Sequence, residues 1–167
     1  MWLPDKIHFW WLAALLASGT VASAEVKVGE PFPALAAFGL EGQLPDRAGK
    51  VVLVDFWATW CAPCRASFPA YSALQRELAD RGLVIVAVSV DKGQGPYADF
   101  LKKFAPSFAT VRDTGQRLVA EVKVPAMPTS YLLDRHGVLR SVHSGFHGDA
   151  TVRELREEID RLLEEKS

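Results

Sequence analysis

The stretch "VDFWATWCAPC", residues 54–64, decides how the rest of the chain reads. Val51 to Trp57 is a run of Val, Leu, Phe and Trp interrupted only by Asp55, which predicts a strand buried on both faces. Two thiols follow, Cys61 and Cys64, with Ala62 and Pro63 between them. A carboxylate inside such a strand prefers its neutral form, because burial raises its pKa. A group of that kind takes and returns a proton near neutral pH. Placed just ahead of two thiols, Asp55 is a candidate base.

From Cys61 to about Asp80, the spacing of Phe68, Tyr71, Leu74 and Leu78 predicts a helix with one apolar face. Pro63 suits its first turn, and Pro69 is expected to kink it. At the mouth of that helix the free amides and the macrodipole favour negative charge, so the Cys61 thiolate is stabilised. Cys64, one turn along, is close enough to attack the sulfur of Cys61. The pair is therefore expected to exchange disulfides, with Cys61 attacking and Cys64 resolving. Asp55 would take the Cys64 proton, directly or through one water.

Further along, Leu83 to Val90, "LVIVAVSV", predicts a second buried strand suited to parallel pairing. Gly95-Pro96 opens a helix carrying Tyr97, Phe100, Leu101 and Phe104. A short strand near Ala109 to Arg112 and a helix near Gly115 to Val122 come next. Ser130 to Leu133 and Val138 to Phe146 predict antiparallel strands around a turn at Arg135-His136-Gly137. The last helix turns Val152, Leu155, Ile159 and Leu162 inward, with a capping box from Thr151 to Glu154. Ahead of the core, the Pro- and Gly-containing lead after Glu25 predicts short extended pieces and a hairpin around Glu41-Gly42. This order implies an α/β fold with helices on both faces of a central mixed sheet.

The 167 residues are 49% hydrophobic and 23% charged, a globular composition. The net charge of −1 argues against nucleic acid and anionic lipid as partners. Residues 1–24 differ in kind: Ile7 to Ala17 is apolar apart from His8, and Ala22-Ser23-Ala24 is a small-x-small pattern. This predicts a signal peptide cleaved after Ala24, with an uncleaved anchor as the alternative, and one domain over residues 25–167. Two cysteines are too few for the stapled scaffold of a small exported protein. A disulfide closing so short a loop would constrain the unfolded chain little.

The segments "GKVVLVDFWATWC", "FWATWCAPCRASFP" and the distant "MPTSYLLDRHG" resemble the thioredoxin superfamily. The closer resemblance is to its exported TlpA/ResA-like thiol–disulfide oxidoreductases, and it spans the mature chain. It implies a thioredoxin fold with an N-terminal extension and a helix–strand insertion ahead of Pro128. It also implies a redox-active Cys61–Cys64 disulfide, with no cofactor beyond it and no metal. Pro128 would be a cis proline facing the cysteines, with Trp57 and Trp60 flanking the pair. Trp60, Ala62, Pro63, Met127 and Gly145 would form the surface that meets a client. Two positions depart from the group: Ser67 stands where many members carry glutamate, and Asp55 where they often carry asparagine. Asp55 looks instead like the buried aspartate of thioredoxin, but the lysine that neighbours that aspartate aligns here with Val88.

The alternative is a thioredoxin-like copper chaperone using Cys61, Cys64 and a histidine, His143 or His147, although such proteins usually space their cysteines by three residues. His143 and His147 lie too far from the cysteines in sequence for a zinc-finger pattern. Arg65 after Cys64 excludes haem attachment to this pair. The expected protein is a periplasmic monomer that reduces cysteine pairs of exported client proteins, such as haem-attachment or copper-site pairs. A membrane thiol reductant would supply its electrons. Membrane contact is expected only through an uncleaved N-terminal segment.

Overall fold

The computed structural model describes residues 26–165, so the export segment expected over residues 1–24 lies outside the described residues. β1 (Val51–Trp57) is buried along its whole length, as its apolar run predicts. It is the centre of a five-stranded sheet of order β3-β2-β1-β4-β5. β2 (Leu83–Ser89) is parallel to β1, and β3 (Ala109–Arg112) is parallel to β2. Parallel neighbours need crossovers; these are α1 (Ala62–Leu78) and α2 (Gln94–Phe104). β4 (Thr129–Leu133) and β5 (Leu139–Ser144) extend the other side antiparallel. α3 (Arg117–Val122) precedes β4, and α4 (Asp149–Glu164) follows β5.

Alternation along β1 divides the core in two. Val51, Leu53 and Trp57 face a cluster with Cys64, Phe68 and Tyr71 of α1, Phe100 of α2, and Leu155 and Ile159 of α4. Val52, Val54 and Phe56 face a second cluster built with Phe32, Leu35, Leu118, Val122 and Tyr131. Helices thus cover both faces of the sheet. Asp55, in step with Leu53 and Trp57, points to the side where α1 carries the cysteines.

Two expectations are corrected. Glu41 and Gly42 form no hairpin; Glu41 bridges to Arg112 of β3, with N–H···O distances of 2.8 and 2.9 Å, and Pro31 bridges to Val138. The apolar residues of the lead have a core face to cover, so its backbone pairs with the sheet rather than with itself. Gly42 lies at φ +116°, and a Cβ there would stand 3.1 Å from the Thr110 carbonyl oxygen, so only glycine fits. The capping box at Thr151 is also absent. α4 begins earlier, at Asp149 after Gly148, and the Thr151 hydroxyl accepts the His147 N–H at 2.9 Å instead. Meanwhile α1 runs on through Pro69, which leaves the Arg65 carbonyl without its helical donor.

Candidate active site

The turn leaving β1 sets up the thiols. The Cys61 N–H donates to the Ala58 carbonyl at 3.1 Å, and Cys61, in extended conformation, is the N-cap of α1. Its sulfur accepts the Cys64 N–H at 3.2 Å, one of the amides a helix start leaves without a partner. Ala62 and Pro63 fill the first turn, where the missing proline N–H costs nothing. Cys61 and Cys64 are joined as a disulfide, with Cα atoms 5.3 Å apart. Cys61 keeps 5% of its surface exposed and Cys64 none. The two tryptophans expected to flank the pair divide their work. Trp60 is 69% exposed, whereas Trp57 is fully buried against Phe68 and Phe100.

A second strand end steadies this turn. Asp91, buried just past β2, accepts the Thr59 N–H at 2.9 Å, the Thr59 hydroxyl at 2.8 Å and the Ser89 hydroxyl at 2.8 Å. On the other side of β1, Phe56 pairs with Thr129. Pro128, one residue earlier, therefore stands at the end of β1 from which the Cys61 turn springs. The Met127–Pro128 peptide bond is cis. The Gly145 N–H donates to the Pro128 carbonyl at 2.7 Å, which fixes the Gly145 loop to that end. Met127 is half-buried and packs against both clusters.

Asp55 is fully buried. Its Oδ1 accepts the Ser130 hydroxyl at 2.6 Å, and the Ser130 Oγ lies 3.0 Å from the Tyr71 Oη. Oδ2 has no hydrogen-bond partner among the described residues. Burial pushes the Asp55 carboxyl up to about 7, and the Ser130 hydrogen bond draws it only part of the way back.

The neighbour assigned from sequence is corrected by one residue: Asp55 pairs with Ala87, while Val88 pairs with Phe56 and faces the other cluster. A continuously apolar strand has no alternation by which to set its register. The consequence is unchanged, because Ala87 brings no cation either. Ser67 is buried and donates to the Cys64 carbonyl at 2.9 Å.

Neither histidine joins the cysteines in a ligand set. The His143 ring lies 2.9 Å from Glu158 on α4, and the His147 ring lies against Gly145. Among the described residues, no group of three or more His, Cys, Asp or Glu side chains is placed to hold a metal ion. Also among them, no helix is long and apolar enough to cross a membrane.

Three participants were not read from the sequence: Ser130, Tyr71 and Asp91. Ser130 carries the same signal as Asp55, a polar residue inside a buried strand. Tyr71 reads only as part of an apolar helix face, and its contact with Ser130 spans 59 residues, beyond any local pattern.

The Redoxin family profile matches residues 27–159. The chain is 37% identical over 125 residues to the thioredoxin-like protein YneN of Bacillus subtilis, covering 73% of this chain and 71% of that protein. It is 31% identical over 126 residues to the thiol-disulfide oxidoreductase ResA of Bacillus cereus, covering 73% of each. A crystal structure of a putative thiol:disulfide interchange protein DsbE from Chlorobium tepidum superposes with a TM-score of 0.77 at 34% identity. That match covers 83% of this chain and 99% of the other.

Proposed function

The chain belongs to the Redoxin family and is a thiol–disulfide oxidoreductase of the ResA-like kind, and on that premise we propose that it reduces cysteine pairs of exported client proteins. The observation that carries this reading is the unequal pair at the mouth of α1: Cys61 retains 5% exposure beside exposed Trp60, and Cys64 has none. In the reduced protein, the Cys61 thiolate attacks a client disulfide, and one client sulfur leaves as a thiolate. Asp55 takes the proton of Cys64, whose thiolate then attacks the Cys61 sulfur. The second client sulfur leaves, the Cys61–Cys64 disulfide forms, and two electrons have passed to the client. Trp60, Ala62, Pro63, Met127 and Gly145 offer the surface for an extended client segment, and Pro128 shapes it.

The direction rests on chemistry between the thiols. The Ala62-Pro63 dipeptide lacks the histidine of strongly oxidising pairs. A reductase in an oxidising compartment draws its electrons from a membrane thiol reductant, which is the second partner of this reading. Haem-attachment and copper-site cysteines are the clients that fit, because both must be thiols to bind their cargo. Export to the periplasm is supported by the signal pattern of residues 1–24. Equilibrating the Cys61–Cys64 pair against glutathione tests the direction. A potential below about −200 mV is expected; a value near about −120 mV or above, that of the strong oxidants, reverses it.

A further inference from the structure

Ser130 and Tyr71 stand behind the base rather than at the thiols. An ionised carboxylate only accepts hydrogen bonds, so the single Ser130 proton points at Asp55 Oδ1 across 2.6 Å. The Ser130 oxygen must then accept, and the Tyr71 hydroxyl, 3.0 Å away, donates to it. Burial holds the Tyr71 phenol above its usual pKa, so it remains a donor. The chain has one sense, from Tyr71 through Ser130 to Oδ1.

That sense distinguishes the two carboxylate oxygens. A proton arriving on Oδ2 leaves the chain undisturbed, because Oδ1 goes on accepting from Ser130. A proton arriving on Oδ1 would meet the Ser130 proton head-on and force both hydroxyls to turn round. Oδ2 is buried and unpartnered among the described residues, so it is the oxygen left open.

The other surroundings of Asp55 do not compete. β2 presents Ala87, and α4 turns Leu155 and Ile159 inward. α1 brings the Cys64 sulfur and the Tyr71 phenol into the same cluster. β5 places His143 opposite Ser130 in the register, with its ring bound to Glu158 of α4 and within 3.9 Å of Glu154. Ser130 remains the hydrogen-bond partner of Asp55.

We propose that Ser130 and Tyr71 are positioning residues for the resolving step, orienting Asp55 so that Oδ2 receives the Cys64 proton and later returns it. The inference rests on Asp55 as the base of that step. The S–H bond of Cys64 breaks, and its proton goes to Oδ2. The electron pair left on sulfur forms the bond to the Cys61 sulfur. The bond between Cys61 and the client sulfur breaks, and the client thiolate leaves with the electron pair of that bond.

The test uses the reduced protein with glutathione disulfide as the probe. Quenched-flow mass spectrometry follows decay of the Cys61–glutathione mixed disulfide from about pH 5 to 9, a range that brackets the ordinary titration of His and Cys. Ser130→Ala removes a donor from the carboxylate, so the midpoint of the rate profile should rise by about one pH unit. Tyr71→Phe should raise it by less, and Ser130→Thr, which keeps the hydroxyl, should restore it. The infrared carbonyl band of protonated Asp55, assigned by its loss in Asp55→Asn, should titrate with the same midpoints.

A purely structural role would lower the melting temperature and leave every midpoint in place. Unshifted midpoints in Ser130→Ala and Tyr71→Phe would overturn the positioning role while Asp55 stands as the base. A normal resolution profile in Asp55→Asn would overturn both. If Ser130→Ala does not fold, Tyr71→Phe against Ser130→Thr decides by the same shift.

Discussion

At Asp55, the burial that raises the carboxyl's pKa also costs stability. Its carboxyl titrates near 7 in the fold against an ordinary 3.8, so between those values the unfolded chain releases a proton that the folded chain keeps. The stability contribution is therefore full below the lower value, falls as pH climbs towards about 7, and is flat above. A gap of that size is worth on the order of 4 kcal/mol. Asp55→Asn removes the titration, although its amide has no acceptor among the described residues where Oδ2 stood, which costs roughly 1–3 kcal/mol. The variant should be at least as stable as the wild type above neutrality, with a flattened slope below it. Urea denaturation across pH checks this; an unchanged slope would assign the dependence to other groups. The cysteines differ as sharply. Cys64→Ser should accumulate mixed disulfides with clients on non-reducing gels, and Cys61→Ser should not, because only Cys61 reaches the surface. Equal trapping would sink that assignment. Asp55 was legible because it interrupts an apolar run. Its pairing with the Ser130 hydroxyl was not, since a contact across 75 residues leaves no periodicity to read.

Among the elements, it is the strand ends that hold the cysteines in place. The carboxylate of Asp91 joins the end of β2 to the turn between β1 and α1 by accepting both polar hydrogens of Thr59. Asp91→Ala leaves those donors and the Ser89 hydroxyl without their acceptor, at a cost of about 1–3 kcal/mol. The released turn carries Trp60 and Cys61, so attack on a client disulfide should slow as stability falls. Thr59→Ala keeps the backbone bond and should lose less of both. Thermal unfolding with stopped-flow attack rates checks the pair; wild-type stability in Asp91→Ala would refute the tie. The long elements were legible from sequence because burial repeats along them: β1, β2 and the inward face of α4 lie where their apolar patterns predict. The misread places are short. A helix start at Gly148 or a single bridge at Glu41 depends on what lies across the fold, not on the residues beside it.

The whole molecule places its chemistry on one side of the sheet and a second core on the other. Cys64, Asp55, Ser130 and Tyr71 belong to the side covered by α1 and α4, whereas the lead covers the far side with Phe32 and Leu35. Bridges at Pro31 and Glu41 fasten that lead to the sheet at two separate places, Val138 and Arg112. Its course was illegible in sequence because its prolines and glycines announce turns without naming their partners. The arrangement separates two losses that a single core would mix. Leu35→Ala, at a site only 4% exposed, should cost about 2–5 kcal/mol through the cavity it opens. The sheet stands between that cavity and the cysteines, so rates of attack and resolution should stay within about twofold, a barrier change well under 1 kcal/mol. Phe68→Ala should cost about 3–5 kcal/mol. Phe68 packs edge-on against Trp57, with centroids 4.6 Å apart, one helical turn beyond Cys64, so the resolving thiol should lose its fixed position and its rate. Denaturant midpoints and single-turnover kinetics on the two variants make the comparison. Leu35→Ala slowing resolution as much as Phe68→Ala would show that the two cores act as one.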